Sequence, residues 1–161
     1  HTGGDNKNIL AVHSLSKRSN LAGYRAAFVV GDHELIAQIL EVRKHAGMMV
    51  PLPVQKAMIA ALSDSEHVAQ QRARYNSRKD LLIPALEAAG FSIDFSDAGL
   101  YLWATRNEDC WQSVAWLASL GILATPGIFY GDATHIRIAM TATDQQISEA
   151  AMRITSEVGA Q

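Results

Sequence analysis

The stretch from Ser63 to Gly90 constrains this chain most, because it reads as one long helix between two unlike textures. Ser63-Asp64-Ser65-Glu66 has capping-box spacing, in which a hydroxyl and a carboxylate satisfy orphan backbone donors reciprocally. Val68, Arg72 (through its aliphatic stem), Tyr75, Leu82, Leu86 and Ala89 then recur as one stripe. Pro84 falls inside the run, where a proline costs roughly 3 kcal/mol, so a kink or break is expected there. Gly90 supplies the stop. A helix of this length between two strand-bearing stretches reads as a connector. It would join the tail of one α/β domain, residues 1–66, to a smaller α/β domain, residues 67–161.

Ahead of the connector, His1–Asn8 reads as a loop, and the apolar runs Ile9–Val12 and Ala26–Val30 read as buried strands. Asp32 is placed to cap a helix carrying Leu35, Ile36, Ile39 and Leu40 on one face, with Gly47 as its stop. Pro51 and Pro53 bracket a turn before a short Ala-rich helix over Val54–Leu62. After the connector, short strands are expected at Phe91–Phe95, Leu100–Ala104, Ile122–Ala124 and His135–Ala139. A helix is expected at Cys110–Ser119. Thr143-Asp144-Gln145-Gln146 has capping-box spacing and opens a last helix with Ile147, Ala151, Ile154 and Val158 inward.

Composition excludes several classes. A formal net charge of -2 over 161 residues implies no general attraction to nucleic acid or an anionic membrane. Cys110 is the only cysteine, so no internal disulfide can form. No apolar run approaches a membrane span and no leader opens the chain, which suits a cytoplasmic protein. The six histidines lack metal-ligand spacing, so no metal is expected. Arg72, Arg74, Arg78 and Lys79 read as a solvated helix face, and Trp111 and Trp116 as core or its edge. The first strand has no upstream partner and no Met precedes it, so the chain reads as the C-terminal part of a longer protein.

Between the first two strands lies Ser14-Leu15-Ser16-Lys17-Arg18-Ser19-Asn20-Leu21-Ala22-Gly23-Tyr24-Arg25. A lysine that attacks a carbonyl to form an imine must shed its proton, which needs partial burial or nearby positive charge. Lys17 follows an apolar strand, and Arg25 comes eight positions later. Ser14, Ser16 and Ser19 supply short donors, Gly23 allows close backbone approach, and Arg25 supplies a planar fork suited to a phosphate dianion. The bland alternative is a solvated lysine, serines lining a turn, and Arg25 paired with a carboxylate.

This segment resembles the lysine signature of the class I/II, fold type I, pyridoxal-phosphate aminotransferases at every restricted position. The resemblance implies that Lys17 carries pyridoxal 5'-phosphate as an imine and that Ser14 and Arg25 bind the cofactor phosphate. Ser16 matches a small-residue position beside them. A second segment, Thr125-Pro126-Gly127-Ile128-Phe129-Tyr130-Gly131-Asp132 with His135-Ile136-Arg137-Ile138-Ala139, is similar to the family's small-domain segment. It implies that Arg137 forks onto the substrate α-carboxylate. Arg137 alternates with Ile136 and Ile138 and so faces away from both. Ala98-Gly99-Leu100-Tyr101-Leu102-Trp103 also resembles a family strand, with core as its ordinary reading. The implied fold is the C-terminal part of a fold type I transferase: the end of the large-domain sheet, the connecting helix and the small α/β domain.

The wording from His13 to Arg25 is narrower still and is similar to the N-succinyldiaminopimelate aminotransferases of lysine biosynthesis. These move an amino group between glutamate and N-succinyl-2-amino-6-oxopimelate. Arg18 could meet a distal carboxylate, or be solvated. The family's cofactor-ring residues, among them an aspartate under the pyridine nitrogen, precede the lysine by far more than the sixteen residues present here. The isolated chain is therefore expected to be inactive. The family implies a homodimer, with Met48-Met49-Val50-Pro51 expected near a partner. Rival readings are another aminotransferase or C–S lyase of the family, an aminotransferase-like sensor domain of a transcription regulator, and a dimerisation domain without chemistry.

Overall fold

A computed structural model describes residues 5–160. The chain divides between Gln70 and Gln71 into two compact units. Of the loop expected over His1–Asn8, His1–Gly4 lie outside the described residues.

In the first unit, β1 (Leu10–Ser14) and β2 (Ala27–Gly31) form an antiparallel ribbon, in register from Leu10 opposite Gly31 to Ser14 opposite Ala27. Both expected strands are present, displaced by one or two residues. They are not buried: Val12 is 72% and Val30 52% exposed. A two-stranded ribbon needs another layer to cover its faces, and this unit's small core forms elsewhere, from Leu15, Ala26 and Met58. The short helix α1 (Leu15–Arg18) leaves β1 directly, and a 3₁₀ turn at Ala22–Tyr24 precedes β2.

Asp32 caps α2 (His33–His45), accepting the N–H groups of Glu34 at 2.8 Å and Leu35 at 3.2 Å. Gly47, with φ of +71°, stops it, and the Met48 N–H returns to the Arg43 carbonyl. α3 runs over Leu52–Ser63, so Pro53 lies in its first turn rather than in the preceding loop. The first-turn N–H groups have no helical acceptor, so a proline there loses nothing.

The connector is α4 (Glu66–Ala88), and its start departs from expectation. Ser63 stays in α3, its hydroxyl donating to the Ile59 carbonyl, so Asp64 accepts the Glu66 and His67 N–H groups instead. Pro84 neither breaks nor ends the helix. It sits on the exposed side, where the Asp80 carbonyl it leaves without a donor can meet water. At Gly90 the Phe91 N–H closes onto the Leu86 carbonyl and the Gly90 N–H onto Glu87, a complete left-handed stop.

The second unit holds a four-stranded antiparallel sheet. Its order is β3 (Ser92–Asp94), β4 (Tyr101–Thr105), β6 (His135–Ala139), β5 (Thr125–Pro126). Leu102, Ala104, Ile136 and Ile138 point from the sheet into the core. α4 adds Leu86, α5 (Cys110–Ser119) adds Leu117, and α6 (Asp144–Val158) adds Ile147 and Ile154. Thr143 and Gln146 form the expected capping box. The strand expected at Ile122–Ala124 is displaced to Thr125–Pro126. Gly121 takes φ of +72° and the Ile122 N–H bonds the Leu117 carbonyl, so Ile122 belongs to the stop of α5. The two tryptophans of α5 part company: Trp116 packs on the core, while Trp111 is half exposed.

The basic cluster on α4 is not one solvated face. Arg78 is only 8% exposed; its Nε donates to Asp144 Oδ1 at 2.7 Å and its Nη1 to the Met140 carbonyl at 2.7 Å. Lys79 donates to the Ser96 carbonyl, whereas Arg72 and Arg74 are exposed. The end of β6 and the start of α6 present a carbonyl and a carboxylate beneath α4, and Arg78 answers both. Among the described residues no helix is long and apolar enough to cross a membrane.

Candidate active site

The ribbon register brings Ser14, Ser16, Lys17 and Arg25 to one end of the hairpin. Ser14 closes β1, Lys17 sits in α1 immediately beyond it, and Arg25 lies two residues before Ala27, the strand partner of Ser14. Ser14 is also the cap of α1: its Oγ accepts the Ser16 N–H at 3.1 Å and donates to Ser16 Oγ at 2.8 Å.

Lys17 is exposed among the described residues, where partial burial was expected from the preceding strand. Among the described residues its Nζ has no hydrogen bond or ion pair. Arg25 adopts a left-handed backbone, φ 51° and ψ 46°, and its Nη1 donates to the Ala22 carbonyl at 2.9 Å. No carboxylate pairs with it among the described residues. Among the described residues the rest of its fork makes no hydrogen bond.

The neighbours of Lys17 are engaged structurally. Arg18 does not wait for a distal carboxylate: its Nη1 donates to the Ala61 carbonyl in the last turn of α3 at 3.2 Å and to Ser19 Oγ at 3.3 Å. Ser19 Oγ also meets His67 Nε2 at 3.0 Å, and His67 Nδ1 meets Asp64 Oδ2 at 2.9 Å. The lysine segment is thus tied on its far side to the α3–α4 junction. Sequence periodicity gives no sign of these ties, which join residues over forty positions apart.

Arg137 belongs to the second unit. As alternation requires, it faces away from the core that holds Ile136 and Ile138. Its strand neighbours are Trp103 on β4 and Thr125 on β5. The guanidinium lies 4.3 Å from the Tyr101 ring centre and 4.9 Å from that of Tyr130. Its Nε is buried and has no hydrogen-bond partner among the described residues. A buried charged donor without an acceptor is costly unless something else supplies one. The Tyr101–Trp103 segment, read first as core, alternates: Leu102 is core, and the two aromatic rings share the face of Arg137.

Residues 2–154 match the sequence profile of the family described as aminotransferase class I and II. The chain belongs to that family. It is 62% identical over 154 residues to a probable aminotransferase of Mycobacterium tuberculosis, spanning 94% of this chain and 37% of that protein. It is 59% identical over 155 residues to the 4-dedimethylamino-4-oxo-anhydrotetracycline transaminase of Streptomyces rimosus, spanning 95% of this chain and 43% of that one. Among solved structures, an aminotransferase from Neisseria meningitidis superposes with a TM-score of 0.85 at 32% identity, over 97% of this chain and 42% of that chain. The chain thus spans about two-fifths of the length of these relatives. Its α/β architecture is that of fold type I aminotransferases, whose family uses pyridoxal phosphate.

The donor set suits that cofactor. An unpaired amine, two short hydroxyls and a largely free guanidinium lie at one hairpin end, matching an aldehyde and a phosphate dianion. The unpartnered Nε of Arg137 suits a carboxylate.

Proposed function

We propose that the full-length protein moves an amino group between an amino acid and a 2-oxo acid, using pyridoxal phosphate. The observation that carries this reading is the hairpin end, where Lys17 stands without a partner beside Ser14, Ser16 and the free fork of Arg25. Bound pyridoxal phosphate supplies an electron sink that makes the α-proton of an amino acid removable. Arg25 and the Ser14 and Ser16 hydroxyls hold its phosphate. Lys17 would hold the cofactor aldehyde through Nζ, and its amine would carry the proton of the substrate α-carbon as general base and acid. Arg137 holds the α-carboxylate, filling the position its Nε leaves open. The active form is a homodimer, with the exposed Met48 and Met49 near the partner.

For substrate we propose N-succinyl-2-amino-6-oxopimelate with glutamate as donor. The wording of the lysine segment supports it; a Dehalococcoides mccartyi relative, 33% identical over 144 residues, is named LL-diaminopimelate aminotransferase, which supports a diaminopimelate-type substrate and not the succinyl arm. The Streptomyces rimosus relative favours a second reading, a polycyclic ketone as amino acceptor. Assaying the full-length enzyme with both acceptor classes separates the two.

The lysine assignment has its own test. Borohydride reduction of cofactor-loaded full-length protein, followed by peptide mass analysis, should tag Lys17. A tag on Lys7, Lys44, Lys56 or Lys79 instead, or no tag, refutes it.

A further inference from the structure

His135 lies two residues before Arg137 on the same face of β6 and takes no part in the reading above. Its side chain is only 15% exposed. Nε2 lies 3.1 Å from Asp94 Oδ2 on β3, and Nδ1 lies 2.8 Å from Asp132 Oδ2 in the loop before β6. Its ring stacks on Trp103, centres 5.2 Å apart and planes 7° from parallel. Trp103 in turn meets Tyr130 edge-on at 5.9 Å, and Tyr130 is one of the two rings against the Arg137 guanidinium.

A neutral imidazole has one N–H donor. Facing a carboxylate at each nitrogen, it would satisfy one and turn a lone pair on the other. Only the imidazolium donates to both. We propose, on the reading of Arg137 as the carboxylate fork, that His135 is a positioning residue: clamped as an imidazolium between Asp94 and Asp132, it fixes Trp103, through it Tyr130, and so the orientation in which Arg137 receives a substrate carboxylate.

The surroundings agree. Asp94 on β3 and Asp132 are the two anions facing His135; Thr134 Oγ1 lies 3.1 Å from Nδ1, and Trp103 on β4 is neutral. Arg137, two residues on, lies on the same strand face. Burial opposes charging, but the bonds to Asp94 and Asp132 prevail and raise the His135 pKa above its usual 6.5. Asp132 stays ionised across the working range. The Thr134 N–H and hydroxyl, more than His135, lower its pKa to about 2. A raised histidine value means the clamp is complete below the ordinary histidine range and is lost as pH rises through the folded-state value.

The test uses full-length, cofactor-loaded enzyme, with maleate as an unreactive dicarboxylate probe and the amino donor's KM and kcat measured in parallel. His135→Gln should weaken maleate and raise KM by about five- to tenfold, the scale of one lost aromatic brace, with kcat within about twofold. Wild-type affinity should fall as pH rises above the histidine range, and that fall should vanish in the variant. His135→Arg keeps charge, two donors and a planar group on Trp103, and should restore affinity without the pH dependence. If Arg137→Met abolishes maleate binding but His135→Gln binds with wild-type affinity and pH profile, the clamp is refuted and the Arg137 reading stands. If Arg137→Met leaves binding intact, that reading fails and the clamp falls with it. Should His135→Gln not fold, a flat wild-type pH profile alone refutes the clamp.

Discussion

Replacing Arg78 with methionine tests whether its buried contacts stabilise the second unit. The change keeps the side chain's length and removes its charge. Two hydrogen bonds go, one to Asp144 and one to the Met140 carbonyl, together with the ion pair of Nη2 to Asp144. Asp144 is 67% exposed and rehydrates at little cost, so the figure for breaking a fully buried pair does not apply. Met140 is fully buried, and its carbonyl loses this donor, at about 1–3 kcal/mol. The desolvated guanidinium is no longer carried, which offsets part of the loss. The expected net is about 2 kcal/mol of destabilisation, a fall of about 1–2 M in the urea midpoint for a unit of this size. The assay is convenient because Trp103, Trp111 and Trp116, the chain's three tryptophans, all lie in the second unit. Their fluorescence reports that unit alone. Asp144→Asn should cost less than Arg78→Met if the Met140 carbonyl is the decisive partner. An Arg78→Met protein within about 0.5 kcal/mol of wild type would refute the reasoning, since that is the scatter of an ordinary surface change.

Pro84→Ala should stabilise, because an alanine N–H can return to the Asp80 carbonyl. About 1–2 kcal/mol is expected once the proline's restriction of the unfolded chain is subtracted, read as a Tm rise of several degrees by tryptophan fluorescence. An unchanged or lower Tm contradicts the account of α4. Asp32 has a lowered pKa because it accepts N–H bonds first from Asn8, then from Leu35 and Glu34, against the penalty of burial. Its contribution is present above the ordinary carboxylate value and disappears as pH falls through the depressed one. The amide signals of Asn8, Glu34 and Leu35 should therefore titrate together by NMR, with a midpoint below 3.8. A midpoint at or above that value counts against the cap, and Asp32→Asn should erase the transition.

Helix ends were the most legible part of the sequence. Asp32, Gly47, Gly90, Thr143 and Gln146 act where their chemistry places them, because caps and stops are local devices. The inward face of α6 is equally local. Burial of the first two strands was not legible: an apolar run shows what could be covered, and the covering layer is not contained in the run. Arg78 illustrates the same limit from the polar side. On the helix it looks like Arg72 and Arg74; Arg74 also reaches Asp144, at 3.7 Å, and the Met140 carbonyl, more than sixty positions away, is what distinguishes Arg78. In the candidate site, the lysine segment and Arg137 were visible because their motifs are contiguous. The His135 clamp was not, since Asp94, Trp103 and Asp132 converge through strand pairing.

The alternation along β6 has a consequence for how the protein can fail. Ile136 and Ile138 occupy the core while His135 and Arg137 occupy the opposite face, and side chains in a strand repeat every two residues. A slip of one residue against β4 would drive a guanidinium into the interior and turn two isoleucines out to solvent. No intermediate register keeps the core intact while moving the arginine slightly. Errors in β6 pairing should therefore yield molecules that are cleared as misfolded, and a population that passes quality control should be uniform in the placement of Arg137.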